Sequence, residues 1–176
     1  VDMLADKVKF IQVGGTRNGP VAIGSQEDHP RLDGVEFTVG KTSLRELFNL
    51  TRRARGVLCG VSLLMHVAAA LERPAVVVAG GREPVQWNSY QKQHYLHTVG
   101  ALPCSDIQGR VGGACWRSRT VPLGDDTMLD NDTCEYPVYG AQNTPECMTL
   151  ISPEYVADTI AQITPNMERV PNGRNQ

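Results

Sequence analysis

Residues 56–81 read GVLCGVSLLMHVAAALERPAVVVAGG, and no other stretch constrains the fold as strongly. A short apolar run, GVLCG, passes through a Gly-Val-Ser turn into SLLMHVAAALE, an apolar stretch of helical character carrying one histidine. An Arg-Pro break follows, and then PAVVVAGG. A valine run without polar alternation predicts a strand buried on both faces, and such strands belong to parallel sheets covered by helices. Strand and helix patterns that alternate in this way place the chain in the α/β class.

The flanks extend the alternation. KVKFIQVGG predicts a buried strand through Val8, Phe10, Ile11 and Val13, ending at a glycine pair, and residues 16–34 are loop-like. VEFTVG predicts a short strand that stops at Gly40. KTSLRELFNLTRRARG predicts a helix: Ser43 and Glu46 have the spacing of a capping box, and Leu44, Leu47, Phe48, Thr51 and Ala54 share one face. Arg45, Arg52, Arg53 and Arg55 fall mostly off that stripe, as on a solvated face. QHYLHTVG reads as one more strand, residues 102–147 as loop, and ISPEYVADTIAQI as a helix capped by Ser152 with Pro153 at its first position. The expected organisation is an α/β core at 1–100, a cysteine-rich loop packed on it at 101–150, a helix at 151–164 and a flexible tail at 165–176.

Bulk properties narrow the partners. With 176 residues, 17 basic against 19 acidic side chains and a formal charge of −2, the chain has the size of one domain and no electrostatic footprint for nucleic acid or a polybasic membrane contact. It has no apolar run long enough to span a bilayer and no signal-peptide pattern at VDMLADKVKF, which sets a cytoplasmic expectation. A first residue of Val rather than Met points to processing or to a piece of something longer.

In an open α/β sheet, ligands bind beyond the carboxyl ends of the strands, where helix starts offer N–H groups to anions. Three strand ends carry suitable punctuation: Gly14-Gly15, Cys59-Gly60-Val61-Ser62 and Gly80-Gly81-Arg82. The best phosphate candidate is the turn after Val61, where Ser62, Leu63 and Leu64 could present N–H groups beside the Ser62 hydroxyl. It is neither a Walker loop nor a GxGxxG fingerprint. His66, one turn later, reads either as a helix histidine satisfied by a backbone carbonyl or as a ligand contact. Trp87 reads as apolar packing or stacking under a loop ahead of a base platform.

Four ordered motifs make the chain resemble the heptosyltransferases that use ADP-heptose: GKTSLREL at 40–47, MHVAAALERP at 65–74, VVVAGGREP at 76–84, and the late CMTLISPEYVADTI. The resemblance covers roughly residues 7–163. It implies a Rossmann-like open parallel sheet with helices on both faces, half of a GT-B fold, that binds an ADP-sugar for transfer to a hydroxyl acceptor. Carried over position by position, the diphosphate falls on Val61, Ser62, Leu63 and Leu64 with His66 beside them, and the adenine on Lys41, Thr42 and Ser43. Gly80-Gly81-Arg82-Glu83-Pro84 stands where the family more commonly has Gly-Pro-Thr-Asp-Pro, leaving Arg82 and Glu83, beside Gly81, as substitutes for sugar or phosphate contacts. Val61 stands where the family often has an aspartate, so an acidic contact to the sugar is lacking there. The catalytic residue is unassigned, because the general base and the acceptor site belong to an N-terminal half that is a separate chain or a missing segment. No organic cofactor is expected, and an oligomer is compatible with the reading.

Cys104, Cys115, Cys134 and Cys147 crowd a segment with little core material, while Cys59 lies apart in an apolar strand. Four thiolates suit one structural Zn or Fe; two disulfides or free thiols are the other readings. Some protein-directed heptosyltransferases resemble this arrangement in carrying an iron-binding cysteine finger. Two competing functions stand beside the transferase: a non-catalytic α/β nucleotide-binding or assembly module with a structural four-Cys site, and a metal-dependent redox or hydrolytic protein with an open coordination position.

Overall fold

The computed structural model describes residues 1–15, 31–106, 113–117, 120, 133–139 and 143–164. A 3₁₀ turn at Asp2–Leu4 precedes β1 (Ile11–Gln12), β2 (Glu36–Phe37), α1 (Leu44–Arg53), β3 (Val57–Cys59), α2 (Leu63–Ala70), β4 (Ala75–Gly80), α3 (Val85–Asn88) and β5 (Gln93–His97). A second 3₁₀ turn at Pro103–Asp106 is followed by β6 (Pro137–Val138), β7 (Thr144–Pro145), α4 (Glu146–Thr149) and α5 (Pro153–Ile163).

The centre is a parallel sheet in the order β3-β4-β5, with β4 in the middle. Because side chains alternate across a strand, β4 divides its residues between two cores. Val76 and the neighbouring Leu96 pack with Leu4 and with Ile151, Ala157 and Ile160 around α5. Ala75 and Val77 pack with Val57 and with Met65 and Ala68 of α2. Helices therefore cover both faces, as the valine run requires, and the arrangement is compatible with a Rossmann-like sheet. Full burial of side chains such as Val76, Val77 and Met65 contributes about 1.5–3 kcal/mol each. Among the described residues no helix is long and apolar enough to cross a membrane.

Local signals set the helix ends. The Ser43 hydroxyl accepts from the Glu46 N–H, and the Glu46 carboxylate returns to the Ser43 N–H, closing the capping box of α1. Ser152 accepts from the Tyr155 N–H, with Pro153 at the first position of α5.

Three expectations change. KVKFIQVGG is not one buried strand: only Ile11–Gln12 pair, in a separate two-stranded parallel sheet with Glu36–Phe37, and Ile11 is 41% exposed. Val8 and Phe10 reach the core instead, packing against the α5 cluster. The α1 stripe is only partly covered. Thr51 is buried, yet Leu44 and Phe48 are 54% and 38% exposed, because the helix that α1 packs against is α2, along one edge. The segment 102–147 holds short ordered pieces, namely the 3₁₀ turn, α4 and an antiparallel β6-β7 pairing. The loop expected over residues 16–34 lies largely outside the described residues, as do 107–112, 118–119, 121–132, 140–142 and the expected tail at 165–176.

Candidate functional site

Parallel pairing brings the carboxyl ends of β3, β4 and β5 to one edge: Cys59 aligns with Val77, Val78 with Leu96, and Gly80 with His97. The segment after β3 turns through Gly60 and Val61 to Ser62, the extended N-cap of α2. The Ser62 side chain makes no cap hydrogen bond, its carbonyl accepts from the Met65 N–H at 3.1 Å, and Leu63 is 42% exposed. The N–H groups of Leu63 and Leu64 have no backbone acceptor among the described residues. A helix start of this kind carries unsatisfied donors and a partial positive charge, the requirements of an anion site.

One turn on, the Nδ1 of His66 lies 2.8 Å from the Tyr90 hydroxyl, with the rings edge to face at 5.6 Å. The partner of His66 is thus a phenol rather than a backbone carbonyl, and both side chains are exposed. Neither composition nor periodicity singles out Tyr90, because it stands in the connection between α3 and β5 and 24 residues separate the pair.

The loop after β4 is held from several directions. Gly81 is buried, and its carbonyl accepts from the Cys115 N–H at 3.1 Å; the Arg82 carbonyl accepts from the Trp116 N–H at 2.9 Å. The Glu83 carboxylate receives Arg82 Nη1 on one oxygen and the Asn88 side-chain amide on the other. Trp87 meets Trp116 edge to face at 4.8 Å and is 59% exposed. Glu83 is therefore engaged by its neighbours, whereas Arg82 keeps half of its side chain in solvent.

The turn at Lys41–Ser43 is a different environment. Lys41 and Ser43 are exposed and Thr42 half-buried. The Ser43 hydroxyl donates to Glu46 Oε2 at 2.7 Å, and the hydrogen bonds from the Ser43 hydroxyl and N–H hold the Glu46 carboxyl below its ordinary range. A depression of about 240 Å³ lined by Thr42, Glu46, Asn49, Leu50 and Arg53 runs along α1. It is smaller than a typical small-molecule pocket, about 300–1,000 Å³. No hydrogen bond among the described residues joins this turn to the start of α2 or to the Gly80–Glu83 loop.

The cysteine-rich segment lies against the same sheet edge. Cys104 and Cys115 are buried, Cys134 and Cys147 half-buried, and all carry thiols rather than disulfides. Burial raises the Cys104 thiol, reinforced by the charges of Cys115, Cys134, Cys147 and Glu135. Burial also raises Cys147, with the charges of Cys115 and Cys134 acting the same way and the Gly81 N–H opposing them. The Cys115 N–H and the Cys147 side chain both meet the Gly80–Gly81 loop. Among the described residues, no group of three or more His, Cys, Asp or Glu side chains is arranged to hold a metal ion. The Thr98 hydroxyl ties the segment to the end of β5 by donating to the Cys147 carbonyl at 2.8 Å. Cys59 is separate: burial alone pushes its thiol to about 11.

Open α/β sheets bind ligands beyond their strand ends, and here an open helix start and a glycine loop stand at one strand edge. Residues 31–113 match the sequence profile of glycosyltransferase family 9 (heptosyltransferase), so the chain is similar to heptosyltransferase-like glycosyltransferases over that stretch. The matched stretch contains every residue from Lys41 to Tyr90 discussed above, and it ends before Cys115. No curated protein and no solved structure matches the chain.

Proposed function

We propose that this chain is the donor-binding half of a GT-B glycosyltransferase, which holds an ADP-heptose-like nucleotide sugar for transfer to a hydroxyl acceptor. The observation that carries the reading is the open start of α2, adjacent at the sheet edge to the Gly80–Glu83 loop and inside the family-matched stretch. In this proposal the N–H groups of Ser62, Leu63 and Leu64 receive the diphosphate after Val61, with His66 beside it. Lys41, Thr42 and Ser43 border the adenine, with the Ser43 hydroxyl and N–H both committed to the capping box. Gly81 and Arg82 face the sugar, while Glu83 orients Arg82. The general base belongs to the other half of the enzyme; Glu83, the carboxylate among the proposed sugar contacts, is occupied by Arg82 and Asn88. The four clustered thiols have the donor chemistry of one structural Zn or Fe.

Calorimetry with ADP tests the donor site. Wild type should bind, and Ser62→Pro, which removes one N–H and the hydroxyl, should bind about tenfold more weakly or worse. Equal affinity in the two proteins, or no binding by the wild type even with the N-terminal half supplied, would overturn the assignment.

A further inference from the structure

The connection between α3 and β5 is latched onto α2 at three places. Tyr90 meets the His66 ring at 2.8 Å, the Gln93 side-chain amide donates to the Met65 carbonyl at 2.9 Å, and Lys92 pairs with Glu72 just beyond the helix at 2.8 Å. The second bond fixes the backbone adjacent to His66. The separation between the phenol and the imidazole is therefore set by the fold rather than by two freely moving surface side chains. An exposed hydrogen bond of this kind contributes little to folding, which leaves the orientation of the ring as its main effect.

A neutral imidazole carries one proton, and the bond made by one nitrogen decides whether the other is a donor or an acceptor. A phenol is a better donor than acceptor, and an unprotonated imidazole nitrogen is a good acceptor. The favoured arrangement has the Tyr90 O–H donating to Nδ1, with the proton of the ring on Nε2. Nδ1 is the nitrogen that Tyr90 occupies, and no other partner of His66 is found among the described residues. Nε2 is thus left for a ligand, one turn from a helix start suited to anions.

We propose that Tyr90 is a positioning residue of the donor site: it fixes His66 in the Nε2–H form and so presents a neutral donor to a phosphate oxygen of the bound nucleotide. This inference rests on the donor-binding reading above.

The test uses the full chain, ¹⁵N-labelled at histidine, at a pH where the imidazoles are neutral, with His66→Gln to assign the His66 signals. Long-range ¹H–¹⁵N spectra should show Nε2–H as the dominant form of His66 in the wild type and a mixture of both forms in Tyr90→Phe, which keeps the ring but loses the hydroxyl. ADP affinity should fall about threefold to tenfold in Tyr90→Phe, with an unchanged melting temperature and no further loss when Tyr90→Phe is added to His66→Gln. An Nδ1–H form in the wild type, or a tautomer balance indifferent to Tyr90→Phe, would overturn the proposal. So would wild-type ADP binding with unaltered affinity in Tyr90→Phe, and in that case the donor site would stand while the positioning role fell. Absence of ADP binding by the wild type would overturn the donor-binding reading and with it the ligand role of the pair, whatever the tautomer.

Discussion

Replacing Gly80 by alanine should loosen the junction between the central strand and the cysteine-rich segment. Gly80 ends β4 in the left-handed region at φ +62, and a Cβ built there would stand 2.6 Å from Met148 Sδ and 3.4 Å from Cys147 Sγ. Two costs follow. Holding an alanine in a left-handed conformation costs about 1 kcal/mol. Moving the Met148 sulfur from 2.6 Å to an ordinary contact of about 3.5–4 Å displaces a flexible side chain by roughly 1 Å. Overpacking of that size costs about another 1–2 kcal/mol. The sum, about 2–3 kcal/mol, corresponds to a fall in melting temperature of roughly 4–12 °C for a chain of this length. Urea unfolding followed by circular dichroism gives the free energy, and the Met148→Ala background separates the two costs. There, Gly80→Ala should retain only the backbone part, about 1 kcal/mol. A Gly80→Ala protein as stable as wild type would refute the argument, and an equal loss in both backgrounds would show that no contact with Met148 is involved.

Two further outcomes bear on the cysteines. Because burial pushes the Cys59 thiol up to about 11, the folded chain keeps a proton that the unfolded chain releases near 9; the associated stability is complete below that range and falls as pH rises toward about 11. Cys59→Ala should remove this alkaline slope, and an unaltered slope would contradict the assignment to Cys59. Purified under reducing conditions, the chain should hold about one Zn or Fe ion through Cys104, Cys115, Cys134 and Cys147, lost when any of the four becomes serine. A metal-free protein whose mass shows disulfide formation would establish that cross-links of the other kind order the segment.

The parallel core was legible because each of its signals is local. The valine run of β4, the Arg-Pro break before it, and the serines that cap α1 and α5 act within a few residues of themselves. The exposure of Leu44 and Phe48 was not legible, since the period of α1 states which residues share a face but not whether another element covers it. KVKFIQVGG misled for a related reason: Ile11, in the paired strand, is exposed, while the half-buried Val8 and Phe10 reach the α5 cluster from outside that strand. Of the candidate site, the turn at Gly60–Leu64 could be found from its punctuation. The Tyr90 partner of His66 and the hydrogen bonds from Asn88 to Glu83 and Thr98 to Cys147 could not, because the fold, not the spacing, creates them.

The cysteine-rich segment is a wall of the candidate site. Its Cys115 and Trp116 N–H groups bind the carbonyls of Gly81 and Arg82, and Cys147 and Met148 fill the space over Gly80 and Gly81 on another side. Side chains larger than hydrogen at either glycine would meet the segment, so both glycines serve its close approach as much as any ligand's. Ordering such a segment costs roughly 1–2 kcal/mol of backbone entropy per residue, and its described core residues are few: Cys104, Ala114 and Cys115. Under the proposed function, a metal ion shared by the four sulfurs would offset part of that cost. The backbone that carries Arg82 is held by the Cys115 and Trp116 N–H groups, which joins the order of the segment to the shape of the candidate site.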